Sequence, residues 1–194
     1  MGVLPITVNS ITGVDVPFMI NDKKNDKGTV AVIAQDPLRN PNDPMLIPFS
    51  PFFANPIVGT PFAIHYEEAK YPQTNVYRLI IDGLLNKGYD VYVTDVWKCW
   101  DKYSTFRRSK WNPNNLHFQC LLDEFASIMP KYVILMGNVA NTKINNRVFL
   151  QSLYNSFSII KTIHPSGAAN RAWAKILPDC QADKKADYIL NLIP

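Results

Sequence analysis

Four short apolar runs stand out along the chain, each closed by a turn former or a proline. Thr29-Val-Ala-Val-Ile-Ala34 is continuous and rich in β-branched residues, the pattern of a strand buried on both faces. It stops at Gln35-Asp36-Pro37, where proline cannot continue a central strand. Tyr89-Asp-Val-Tyr-Val-Thr94 follows the helix stop Asn86-Lys87-Gly88 and ends at Asp95. Lys131-Tyr-Val-Ile-Leu-Met136 follows Pro130 and ends at Gly137-Asn138, and Phe157-Ser-Ile-Ile-Lys-Thr-Ile163 ends at His164-Pro165.

Helical periodicity fills the intervals. Thr74 is placed to cap a helix that buries Val76, Leu79, Ile80 and Leu84. Asn114 or Asn115 is placed to cap another, with Phe118, Leu121, Leu122, Phe125, Ile128 and Met129 on one face at i, i+3, i+4, i+7 spacing. A less periodic helix is expected over about 141–153, with short helices after Ser166 and Asp183. Residues 1–27 are mixed and lead into the charged turn Asn21–Gly28. Strands alternating with helices predict an α/β fold. The expected form is a three-layer α/β/α sandwich around a central, mainly parallel four-stranded sheet with right-handed crossovers.

Length and composition narrow the class. At 194 residues the chain is expected to form one domain, its core about 29–171. Hydrophobic residues make up 47% and charged residues 19%, which excludes a disordered chain. No apolar run approaches the ~20 residues of a membrane span. The N-terminus lacks a basic segment before an apolar one, so no secretory signal is read and a soluble, cytoplasmic protein is expected. Three cysteines without a Cys-x-x-Cys argue against a disulfide framework. Seven of the 15 prolines fall between Pro37 and Pro61, which suggests a long, stiff, shaped loop.

Ligands of open parallel sheets bind beyond the carboxyl ends of the strands. Gln35-Asp36, Asp95, Gly137-Asn138 and His164 follow the four runs and are therefore candidates for one cleft. Each has a plainer reading. Asp36 before proline suits a turn, Asp95 can cap a loop or pair with Lys98, and His164 before proline can be structural. A second concentration lies in residues 97–111, where Lys98, Lys102, Arg107, Arg108 and Lys110 face Asp101 alone, a net +4 equal to that of the whole chain. Trp97, Trp100, Tyr103, Phe106 and Trp111 are interleaved with them. Such a stretch suits phosphates and stacked bases, or else a loop whose aromatics pack on the core.

These residues carry a resemblance. Ala34-Gln35-Asp36-Pro37 resembles the first motif of uracil-DNA glycosylases, and His164-Pro165-Ser166 the closing motif of their superfamily. Val91-Tyr-Val-Thr-Asp-Val-Trp-Lys-Cys99, Pro56-Ile-Val-Gly59 and Pro130–Gly137 with Ala140 are similar to stretches of its iron–sulfur branch. Order and spacing agree from about Thr29 to Arg171. The resemblance implies a DNA glycosylase that hydrolyses the N-glycosidic bond of a flipped uracil or other deaminated or damaged base, with DNA as partner. Asp36 would orient water and stabilise the sugar cation, and His164 would donate to the base carbonyl. The backbone N–H of Gln35 would contact the base, and Ser166 and Arg171 would grip phosphates.

The pattern is also departed from. Asp95 stands where the family has an asparagine; an ionised carboxylate only accepts, so it suits an exocyclic amino group or must be protonated. Leu38 replaces a tyrosine and Ile57 a stacking phenylalanine, for which Phe52 or Phe53 can substitute. Cys99 and Cys120 resemble two cluster ligands, but two thiolates cannot hold a four-iron cluster. No metal or other cofactor is expected, nor an obligate protein partner. The expectation is a monomeric hydrolase; the alternative is a catalytically silent nucleic-acid-binding member of the same fold. No Gly-x-Ser-x-Gly elbow, phosphate loop or metal-ligand spacing supports an unrelated hydrolase.

Overall fold

The computed structural model describes residues 11–15, 17–21, 24–35, 72–101, 110–153 and 157–194. Its elements in chain order are β1 (Ile11–Val14), β2 (Phe18–Ile20), β3 (Thr29–Ala34), α1 (Pro72–Asn86), β4 (Asp90–Asp95) and β5 (Cys99–Asp101). There follow α2 (Leu116–Ile128), β6 (Tyr132–Met136), α3 (Gly137–Ile144), α4 (Arg147–Gln151) and β7 (Ser158–Thr162). A 3₁₀ turn (Gly167–Ala169), α5 (Asn170–Trp173) and α6 (Ala182–Leu190) complete the series.

The four expected strands are present, and they run parallel in the order β4-β3-β6-β7. The expected strand count is corrected by a fifth, β2, which pairs antiparallel with β4 through Phe18↔Val93 and Ile20↔Val91. A separate two-stranded ribbon joins β1 to β5. Strands of three or four residues carry too little alternation to register in the sequence, and their partners lie some 70–90 residues away.

Strand pleating divides the apolar runs between two cores. Val30, Val32, Val91, Val93, Ile134 and Met136 pack with Val76, Ile80, Ile81 and Leu84 of α1 and Ile189 of α6. The intervening residues Ala31, Ile33, Tyr92, Val133 and Leu135 pack with Phe118, Leu121 and Phe125 of α2, Ile144 of α3 and Phe149 of α4. Both faces of the sheet are thus covered, which is why these strands read as unbroken apolar runs rather than alternating ones.

Asn115 caps α2: its side-chain oxygen accepts from the N–H groups of His117 (3.0 Å) and Phe118 (3.3 Å), satisfying two of the first-turn donors. Three helix expectations are corrected. α1 starts at Pro72, so Thr74 lies inside its first turn rather than at its cap. Met129, expected on the buried face, is 65% exposed because it is the left-handed C-cap of α2, with φ 43°, and the turn carries its side chain off the apolar stripe. The helix expected over 141–153 is two helices, α3 starting directly from β6 and α4 restarting at Asn146, whose side chain caps it. Among the described residues no helix is long and apolar enough to cross a membrane.

α1 and α6 meet closely at Gly83. A Cβ there would lie 2.3 Å from Leu190 Cδ1 and 3.1 Å from Leu190 Cγ, so the whole leucine side chain would have to move. Gly83→Ala is expected to lower stability by about 1–3 kcal/mol through overpacking, read as a lower urea midpoint at unchanged m.

Candidate active site

The parallel register aligns the strand ends. Ala34 of β3 lies opposite Asp95 of β4, and Met136 of β6 opposite Thr162 of β7, so all four strands finish on one edge of the sheet. Asp95 is the last residue of β4 and is fully buried. His164 follows β7 by two residues and is half-buried. Gln35 extends β3, and its carbonyl accepts from the Trp97 N–H (3.1 Å). Asp36, Leu38, Phe53, Ile57, Arg107 and Arg108 lie outside the described residues.

The link between Asp95 and His164 is a residue the sequence reading passed over, Tyr77 of α1. Its hydroxyl lies 3.4 Å from His164 Nε2, and the two rings meet edge to face at 6.3 Å. Burial, and after it the negative charge of Asp95, hold the Tyr77 hydroxyl well above its usual range, so it keeps its proton. The sequence signal was a hydroxyl within an apolar helical stripe, which ordinarily marks packing.

The Ser166 N–H donates to His164 Nδ1 (3.2 Å). A neutral imidazole that accepts at Nδ1 carries its proton on Nε2, so the ring presents an N–H donor toward Tyr77. The loop is fastened from behind. Trp173 Nε1–H donates to the His164 carbonyl (3.0 Å), and the buried Lys185 ammonium donates to Asn170 Oδ1 (2.8 Å) and the Pro165 carbonyl (3.5 Å). Ser166 thereby has a structural task in its backbone, while Arg171 is exposed on α5. From the other side, Gly137 at the start of α3 approaches so closely that a Cβ would lie 2.9 Å from His164 Cβ, at a φ of +84°.

The aromatic and basic stretch 97–111 divides. Trp97 is buried, edge-on to Trp111 (5.5 Å) and His117 (5.1 Å), and Trp111 packs on Phe118 and Phe149. These rings belong to the core rather than to a stacking platform. Lys98, expected at DNA phosphates, instead neutralises carboxylates of its own chain. Its ammonium lies 2.9 Å from Asp15 Oδ2 and 2.7 Å from Glu124 Oε1, and it also donates to Thr94 Oγ1. Asp15 Oδ2 further accepts from the Thr94 hydroxyl (2.7 Å) and the Asp95 N–H (3.0 Å). Burial holds the Glu124 carboxyl above its ordinary range despite Lys98. Neither Asp15 nor Glu124 was a sequence candidate, and no local pattern marks either one. Cys99 and Cys120 are half-buried, and no group of three or more His, Cys, Asp or Glu among the described residues is placed to hold a metal ion.

Two predictions follow from this geometry. Burial and then the Lys98 charge lower His117 to about 4, and its Nδ1 accepts the Lys98 N–H at 2.8 Å. As pH falls from about 6.5 toward 4, the unfolded chain gains a proton that the native ring refuses, so stability is lost across that window. The loss is about 3 kcal/mol at ~1.4 kcal/mol per unit. Urea midpoints at pH 7, 5.5 and 4 are expected to show this slope in the native sequence and a shallower one in His117→Gln. Gly137→Ala, strained in its backbone and pressed against His164 Cβ, is expected to cost about 1–3 kcal/mol. It should also displace the imidazole resonances of His164 in NMR spectra.

No curated protein matches the chain in sequence. A family model described as the uracil DNA glycosylase superfamily matches residues 23–188, from the turn before β3 to α6, and so takes in the four parallel strands and the His164 loop. With that match over most of its 194 residues, the chain belongs to the uracil DNA glycosylase superfamily.

Proposed function

We propose that the chain is a monofunctional DNA glycosylase that hydrolyses the N-glycosidic bond of a flipped uracil or other deaminated or damaged base. The reading includes a three-layer α/β/α frame and a sequence nearest the iron–sulfur branch, without that branch's cluster. The observation that carries it is the meeting of Tyr77, Asp95 and His164 at the carboxyl edge of the parallel strands, with the Ser166 N–H donating to His164 Nδ1. Superfamily membership supports it independently.

The chemistry follows from these groups. As the C1′–N bond breaks, its electron pair passes to the base and spreads onto the carbonyl oxygens, while the sugar becomes cationic at C1′. A neutral Nε2–H aimed at one carbonyl stabilises the growing anion without having to surrender its proton. Asp36, adjoining Gln35 at the end of β3, is assigned the opposite charge: it favours the cation and orients the water that adds to C1′, accepting the proton that water sheds. Asp95 faces the base edge and favours one that presents an N–H donor. Leu38, Phe53 and Ile57 are assigned to the pocket wall, the Gln35 N–H to the base, and Arg107, Arg108, Ser166 and Arg171 to phosphates.

Oligonucleotides, single- and double-stranded, carrying uracil, hypoxanthine, xanthine or mismatched cytosine, are expected to yield alkali-labile abasic sites from at least one base. Asp36→Asn and His164→Ala are each expected to slow single-turnover release about 10²–10⁴-fold. Salt-dependent DNA binding with no abasic product from any of the four, unaltered by Asp36→Asn, would mark a silent binding protein instead.

A further inference from the structure

We infer that Tyr77 is a second catalytic donor: its hydroxyl and the His164 Nε2–H hold one carbonyl oxygen of the departing base between them. The inference rests on the glycosylase reading and adds a residue to it. The two polar atoms are 3.4 Å apart. An oxygen about 2.9 Å from each closes a narrow triangle, with an angle of about 70° at the oxygen, within the broad angular acceptance of a carbonyl. That is the arrangement of two converging donors at a developing oxyanion. Two further observations support it. Tyr77 is 4% exposed, with its ring among the apolar side chains of the α1 core, yet its polar end lies at the strand-end edge beside His164. Burial and the Asp95 carboxylate keep the phenol protonated, hence a donor.

In the reaction, the glycosidic electron pair moves onto the base and Tyr77 gives no proton away. It shares its hydrogen with the carbonyl oxygen more strongly as charge grows there, so its effect falls on kcat rather than on KM.

The test is the Tyr77→Phe variant, which keeps the ring and removes one oxygen. Release of uracil and of 5-fluorouracil from single-stranded oligonucleotides is measured in single turnover, with a thermal melt of each protein. 5-Fluorouracil leaves as a more stable anion and needs less help from donors. The expected result is a loss in kcat of about 10- to 100-fold on uracil, KM within about threefold, a clearly smaller loss on 5-fluorouracil and a melting temperature close to that of the native sequence. Equal losses on the two bases, or none on either, would overturn the inference and leave the glycosylase reading intact. Absence of product from the unaltered chain on both bases would overturn this role on uracil, and absence from hypoxanthine, xanthine and mismatched cytosine as well would overturn the glycosylase reading with it.

Discussion

At the end of β4 two adjacent residues face opposite sides of one sheet, and the site depends on that pleat. Thr94 turns toward α2, where its hydroxyl joins Asp15, Lys98 and Glu124. Asp95 turns toward α1 and comes within electrostatic reach of Tyr77. Asp15 connects the two sides, because the oxygen that receives Thr94 also receives the Asp95 N–H. Two carboxylates around one ammonium are costly to desolvate, and removing the Lys98 ammonium would leave both without their countercharge, a loss of about 3–5 kcal/mol. The arrangement is justified less by net stability than by where it fixes the β4 terminus.

Preorganisation on the far side of the site is of a different kind. The His164 loop is held by neutral donors and one buried cation acting on its carbonyls, from Trp173 and Lys185, and by the Ser166 N–H acting on the ring. Those bonds set the tautomer and the direction of the imidazole before any substrate arrives. A donor that need not reorganise is worth more in a water-poor site than one that must turn to meet its partner.

Much of this was legible in the residues, for identifiable reasons. The buried strands announced themselves because both their faces meet helices, and the rule that ligands gather at carboxyl ends brought Asp95 and His164 to one edge from positions almost 70 residues apart. Asn115 was readable as a cap because capping is local. What failed to show were features settled by distant partners. β2 exists because Phe18 finds Val93. Lys98 looked like a phosphate contact until Asp15 and Glu124, 83 and 26 residues away, claimed its ammonium. Periodicity alone carried Met129 into the core, whereas the left-handed residue that ends α2 turned it outward. Tyr77 was concealed by good company, a phenol among aliphatic neighbours.

The contact between Gly137 and His164 reaches beyond this one chain. Position 137 opens a helix and position 164 closes a strand, and they come from segments that no short motif spans. Yet the space for a methyl group at the first is already filled by the second. A lineage can enlarge the glycine only after its histidine has withdrawn, and a histidine that has withdrawn is aimed elsewhere. In this fold the two positions act as a single steric unit.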